Sequence, residues 1–596
     1  MAEYTNPNQK GGGGFDANSL MLTAVVFIVF FLGLQHFFPK QTQESQQLAQ
    51  NAQQTAPPTA AEAAPVAAAV SAPAASAHAK AATAESETVV ENELYRITFS
   101  NHGAQVTSWI LKKYKDTQGQ PLDLVHPDTA AKFGYPFSLY TYDAGLTGKL
   151  TQPLYVASAT GPLTVPGTLS FDYADGNGLV VHKAFSFDQS YVVHADTLVT
   201  QNGAPVRTLL SWPVGPNALR AGRSGIGFSS AGSATEQLDT MQNAKETHVA
   251  AAKVSGGNTL NGSFDWAGIS DLYFGAVFLP DDPQTSTLVS INNSVSVALG
   301  DTKEAKTVMM PVVGAAMGDL SGHTQTRVYV GPKVLEILKQ VHATGINGAN
   351  GPSLEKLIDF GFFGPIAKFL FLALFFVYQH ITGNWGWAIV VLTVIINLAL
   401  LPVRVSTMKS ALKMQRIQPQ MEQIKAKYAK FKVTDPKRGE MNQEIMKLQK
   451  DNGVNMFGGC IPNLLQFPLL IAFITMLPKV TELRLQHWGW LPDLTAPDPY
   501  HILPIVMIIT SFLVQYYMPS PGVDPQQQKM MAFMMPAISG IFVWNYASGP
   551  GLYWATGNVI MIAQQMIMNQ TGVGREMKEL AAKRARRKAG TIQGKR

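Results

Sequence analysis

Three side chains in one short stretch could do chemistry that the rest of the chain would have to be built around. Thr393 and Asn397 are four residues apart, which puts them on one helix face. Arg404, seven beyond Asn397, returns to within about 20° of that face. They lie in and just after an apolar run of mostly Ile, Val and Leu, residues 388–403, preceded by Trp385, Gly386 and Trp387. With these the run can cross the roughly 30 Å apolar layer of a bilayer, the tryptophans at one boundary and Arg404 and Lys409 at the other. By rise per residue Asn397 lies about 13 Å in, where an amide facing lipid would have no hydrogen-bond partner. Two readings stay open: Asn397 and Thr393 bond a neighbouring helix, or they line a wet cavity inside the membrane. The helix is expected to carry on, now amphipathic, into a strongly basic segment.

Other chemistry has little to stand on. Cys460 is the single cysteine, which excludes a disulfide framework, CxxC redox chemistry and a Cys-rich zinc site. His102, His126, His182, His194, His248 and His323 have no metal-ligand spacing, and no GxSxG or paired acidic motif stands out. The chain reads as a non-enzyme without cofactor or metal. A small-solute or lipid transporter is the alternative from another class. It predicts inverted repeats or a buried ionisable pair, and the apolar blocks hold neither.

The elements that must position the stripe come from composition. The 596 residues are 46% apolar and 14% charged, and the apolar ones are bunched into blocks. That bunching marks a polytopic α-helical membrane protein with one large water-soluble part. Residues 19–38 have spanning length with no small-x-small site directly after them, so 1–39 reads as an uncleaved signal anchor. Residues 40–87, rich in Gln, Ala, Pro and Ser, read as a flexible tether. From 88 to 335, short alternating runs such as 94–99, 191–199, 273–279 and 307–312 predict a β-sandwich-like domain. A helix through 334–341 and 354–360 is expected to lead back to the membrane.

Charge then sets the topology. The span at 384–403 and four more within 456–570 make six with the anchor, while the block at 361–378, which contains Pro365 and Lys368, would make seven. Residues 404–450 carry twelve Lys or Arg against four acids, and 571–596 carry nine against two. Both belong in the cytoplasm. Six spans with the N-terminus inside satisfy this and leave the β domain outside; seven do not. The block at 361–378, part of a connecting segment 336–383, is therefore laid in the interface as an amphipathic helix with Lys368 towards water. Within 404–455, Met408, Leu412, Ile417, Met421, Ile424 and Tyr428 recur at helical steps. After a break at Asp435 and Pro436, Met441, Ile445 and Leu448 follow, which predicts a basic helical hairpin. That hairpin and KRARRK at 583–588, in the tail 571–596, suit anionic lipid, ribosomal RNA or an acidic partner segment, and nothing points to DNA.

The motifs NWGWAIVVLT from Asn384, QP at Gln418 and Pro419, GGCIPNLLQFP from Gly458, DPYHILPI from Asp498, DPQQQKMM from Asp524 and SGPGLYW from Ser548 resemble the YidC-type membrane protein insertases of Gram-negative bacteria. In the β domain the matches are LYFGAVFLP from Leu272 and YVGP from Tyr329. The resemblance covers nearly the whole chain. It implies a β-supersandwich periplasmic domain, related in fold to sugar mutarotases, and a five-helix core with a hydrophilic groove open to cytoplasm and lipid. It further implies an inner-membrane location, nascent membrane proteins as clients, and the Sec translocon, ribosome and lipids as partners. By matching motif, Thr393, Asn397, Gln466, Tyr553 and Trp554 would line the groove. The family usually carries an arginine where this chain has Asn397. Arg404, about 10 Å nearer the cytoplasm on the same face, either supplies that charge by reaching up the groove or serves only as a headgroup anchor. A β domain acting as a sugar-binding module or epimerase is the remaining alternative.

Overall fold

In the strand Leu179–Phe187, LVVHKAFSF, every second side chain is buried, the period a strand needs when one face covers a core. The computed structural model describes residues 78–593 except 117, 217–235, 300–305, 346–348, 432–434, 455–460 and 518–524. The signal anchor, most of the tether and Cys460 lie outside the described residues. The four expected runs fall on the strands Tyr95–Ser100, Val192–Gln201, Phe274–Pro280 and Lys306–Asp319. A ten-stranded sheet is centred on Phe264–Ser270, Phe274–Pro280, His323–Pro332, Val192–Gln201, Leu179–Phe187 and Gly167–Ala174, each antiparallel to the next. One five-stranded sheet holds Tyr95–Ser100 and Gln105–Lys115, and another is built round the long hairpin Ser286–Leu299 and Lys306–Asp319. Trp109, Phe171 and Trp212, one from each sheet, belong to a single apolar cluster, and the rings of Trp109 and Trp212 lie 5.7 Å apart.

Among the described residues of this domain, Lys183 and Glu236 are ionisable side chains that are buried. Lys183, fully buried, donates to the carbonyls of Phe137 at 2.7 Å and Gly103 at 3.3 Å, and to that of Ala104. Burial pulls its pKa from 10.5 down to about 7. Glu236 accepts from the Val313 N–H at 2.9 Å, and burial lifts its carboxyl from 4.5 to about 8.

The expected helix through 334–341 and 354–360 is replaced by two single turns, Leu335–Leu338 and Leu354–Leu357, with the hairpin His342–Thr344 and Asn350–Ser353 between them. Gly345, Gly351 and Pro352 in that hairpin explain the break. The helices follow: α1 (Gly364–Val377), α2 (Trp385–Ala399), α3 (Leu401–Lys427), α4 (Lys437–Asp451), α5 (Ile461–Met476), α6 (Ile502–Tyr517), α7 (Pro525–Val543), α8 (Ser548–Gln570) and α9 (Gly572–Gln593). Among the described residues one helix, Gly364–Thr382, is long and apolar enough to cross a membrane, and α2 with α3, bent by 49°, reaches that length as a pair. Gln466–Lys479, Ile502–Tyr517 and Met530–Val543 are shorter apolar helices. The outward faces of the last two expose Ile505, Ile509, Phe533 and Ile541, a surface suited to hydrocarbon rather than water. On α1 the outward side is apolar too, with Phe369, Leu372 and Phe376, whereas Lys368 pairs with Glu355 near its N-terminal end. The bend between α2 and α3 departs from the continuous helix expected. Pro402 in the first turn of α3 has no N–H to extend the ladder of α2.

Bundle and β domain are joined by side chains from the loop after α5. Thr481 donates to the carbonyls of Tyr273 at 3.3 Å and Lys333 at 3.2 Å. Arg484, buried, donates to the Lys115 carbonyl at 2.6 Å and lies over the rings of Tyr273 and Phe274. Beneath that joint the Lys333 ammonium donates to Ser270 Oγ at 3.1 Å and to the Asp271 carbonyl at 3.0 Å. Further along the same loop the ring of Trp488 closes on Gly386 of α2, where an added Cβ would sit 2.2 Å from Trp488 Cγ. Gly386→Ala should therefore lower stability by about 1–3 kcal/mol. The check is the melting temperature of the purified chain in detergent, and an unchanged melt would mean that the ring gives way freely.

Candidate functional site

The start of α2 is set by Asn384, whose side chain accepts from the Trp387 N–H at 3.1 Å. From there Thr393 and Asn397 fall on the face turned into the bundle, and both are buried. Thr393 donates to the Ile389 carbonyl at 2.6 Å and Asn397 Nδ2 to the Thr393 carbonyl at 2.8 Å, so α2 satisfies its own polar donors. Asn397 Oδ1 is left to accept from Arg404 Nη2 at 2.9 Å. Arg404 Nη1 donates to Gln564 Oε1 of α8 at 2.7 Å, and Nη2 reaches Gln466 Oε1 of α5 at 3.4 Å. Gln564 also donates from Nε2 to the backbone carbonyl of Asn397 at 3.2 Å. One guanidinium thus gathers amide oxygens from three helices. Among the described residues its hydrogen-bond partners are all neutral, so the group adds a whole positive charge to the cluster.

The six residues singled out from the sequence divide. Asn397, Arg404 and Gln466 come together in this cluster, with Thr393 one turn away from Asn397. Tyr553 is buried and stacks on Phe473, with centroids 4.1 Å apart, in the apolar cluster of the bundle. Trp554 is half-buried on α8. Polar surface at this site is therefore offered by Arg404, Gln466 and Gln564, all half-buried, and not by the buried Thr393 and Asn397. Gln564 is the member of the cluster that the sequence reading does not single out. Its signal was the eleven-residue step from Tyr553, three helical turns on one face. Elsewhere Asn558 is interhelical glue, donating from α8 to Thr510 at 3.1 Å and Ser511 at 2.8 Å on α6.

Below the cluster α3 packs against α9 through Met408, Ala411, Leu412 and Met577. Arg416 grips Glu576 with two bonds of 2.8 Å. On its other side α3 meets α4 through Ile417, Met421, Ile445 and Leu448, as the helical periodicity predicted.

Residues 376–575 match the 60Kd inner membrane protein family, and residues 87–373 match the YidC periplasmic domain. The membrane protein insertase YidC of Geobacter sp. (strain M21) is 32% identical over 497 residues, 81% of this chain and 86% of that protein. The chain belongs to the YidC family of membrane protein insertases. The YidC of Geobacter metallireducens is 31% identical over 575 residues, 94% of this chain and 99% of that protein. A crystal structure of an active YidC insertase with its first transmembrane domain resolved covers 84% of this chain and 96% of its own, at 16% identity and a TM-score of 0.32. The β-rich domain at 87–373 and the helical bundle after it are the two parts of the YidC fold. This YidC-family chain carries its cluster cation on α3, beyond the bend, and an amide at the end of α2.

Proposed function

We propose that the chain inserts nascent inner-membrane proteins by drawing a short hydrophilic client tail to the Arg404 cluster while the client's apolar helix moves into lipid. The observation that carries this reading is the guanidinium held by amides of α2, α5 and α8, with no acid among its described hydrogen-bond partners. Such a site lowers the cost of taking a polar or acidic tail part-way into the apolar layer. The driving force is the transfer of about 20 apolar client residues into hydrocarbon, aided by the membrane potential for acidic tails. No covalent step, nucleotide or metal enters.

With this use of the site goes a topology of six passes, both termini cytoplasmic and the β domain periplasmic. The helix Gly364–Thr382 has crossing length, but with the N-terminus inside a crossing there would move both basic segments outward, against the charge rule. It lies along the outer boundary instead, its apolar side to lipid. The hairpin of α3 and α4 and the tail beyond α8 then offer the ribosome a basic surface, and the Sec translocon is the partner for larger clients.

Insertion by the full chain in proteoliposomes tests the reading. With two clients differing only in an acidic or a neutral tail, Arg404→Gln should lower the acidic-to-neutral insertion ratio about tenfold, the worth of a charge-assisted contact. A ratio equal to that of the unaltered protein would remove the cation from the mechanism.

A further inference from the structure

We infer that Gln564 is the positioning residue of this site: its side-chain amide fixes where the Arg404 charge stands by tying the guanidinium to the carbonyl left free at the end of α2. The inference rests on the client-binding role of Arg404 given above and assigns α8 a part in it.

The chemistry of the Arg404 guanidinium, the Gln564 amide and the Asn397 carbonyl favours one arrangement. A guanidinium has donors only, so the Gln564 amide must turn its oxygen to Arg404, as the 2.7 Å contact from Nη1 records. Its NH₂ group must then find an acceptor on the other side. Asn397 provides one, 3.2 Å away. Asn397 belongs to the last turn of α2, and with the helix bent by 49° before α3 its carbonyl accepts from Gln564 of α8. A flipped amide would set NH₂ against NH₂ at Arg404 and oxygen against oxygen at Asn397, so the orientation is self-enforcing.

Arg404 itself stands two residues beyond Pro402, on the far side of the bend from Asn397. Its long stem leaves many rotamers open, and Asn397 Oδ1 alone holds only Nη2. Gln564 closes the set by holding Nη1 and the Asn397 backbone at once, so that α2, α3 and α8 share one polar knot. Gln466, at 3.4 Å, is the weaker contact. A cation moved seven residues along from Asn397 is thereby brought back beside it.

The test compares Gln564→Met, which keeps the volume but neither bond, in the unaltered chain and in an Arg404→Gln background, with the acidic-tailed and neutral-tailed clients. The expected result is a severalfold fall in the acidic-to-neutral ratio in the unaltered background and no further fall where Arg404 is already gone. Gln564→Asn serves where Gln564→Met does not fold: it keeps the amide, but its shorter side chain cannot hold Nη1 and the Asn397 carbonyl at once, so it should lower the same ratio. A residue that merely packs α8 would depress both clients alike, or depress the ratio equally in both backgrounds. Either result overturns the inference. If Arg404→Gln leaves the ratio unchanged, the role of the cation fails and the inference goes with it; if Arg404→Gln lowers the ratio and Gln564→Met does not, the inference alone fails.

Discussion

Raising the pH from 4.5 to 8 should destabilise the β domain through Glu236, and raising it from 7 to 10.5 should stabilise it through Lys183. Glu236 has its folded pKa lifted from 4.5 to about 8 by burial. The folded state keeps a proton that the unfolded chain releases, so this stability is fully present below 4.5 and is lost as the pH climbs to about 8. Lys183 is the reverse case, depressed from 10.5 to about 7 by burial. The folded state lacks a proton that the unfolded chain keeps, so its stability is fully present above 10.5 and is lost as the pH falls to about 7. At about 1.4 kcal/mol for each pH unit, either limb approaches about 5 kcal/mol. His248, raised because its bond to Asp239 outweighs burial, adds to the Glu236 limb, and the raised hydroxyls of Tyr95 and Tyr155 oppose Lys183 at the alkaline end. Single substitutions therefore isolate the two groups. Glu236→Gln should flatten the first limb and Lys183→Met the second, measured as denaturant midpoints followed by hydrogen exchange in strands of the β domain in the full chain. Curves that stay parallel to that of the unaltered protein would sink the assignment.

Arg484→Met should loosen the joint between bundle and β domain by about 2–4 kcal/mol, the sum of a charge-assisted hydrogen bond and cation–π contacts. The guanidinium is buried, bonds the Lys115 carbonyl at 2.6 Å, and stands 5.9 Å from the ring centre of Tyr273 and 5.6 Å from that of Phe274. Amide exchange should speed up in residues 477–494 and at the end of the strand Gln105–Lys115, while Leu179–Phe187, inside the core, stays protected. Unchanged exchange on both sides of the joint would show that Thr481 and its neighbours hold it without Arg484.

What could be seen in the sequence was whatever a single element settles for itself. The strand at Leu179–Phe187 alternates, and the buried side chains Met408, Leu412, Ile417 and Met421 fall at helical steps, because period alone dictates which face is covered. The stripe of Thr393, Asn397 and Arg404 was legible for the same reason, being written along one helix path. What could not be seen depends on chain segments that meet from afar. Lys183 finds its acceptors 46 to 80 positions earlier, and Arg484 finds Lys115 at a separation of 369. The convergence of Gln466 and Gln564 on Arg404 spans 62 and 160 positions. Burial of Thr393 and Asn397 confines the wet-cavity reading of the stripe to its Arg404 end, because the two donors are already spent inside α2. Pro402 was in plain view, yet its effect on direction needed the neighbours that hold the bend open.

That bend makes α3 a lever. Its 27 residues form a rod about 40 Å long that leaves α2 at 49°. For a rod of that length each degree of rotation at the bend corresponds to about 0.7 Å at the far tip. The grip of Arg416 on Glu576 makes α9 ride on the same rod. A rotation at the bend would therefore carry the first part of α3, up to Pro419, and the partner helix α9 together.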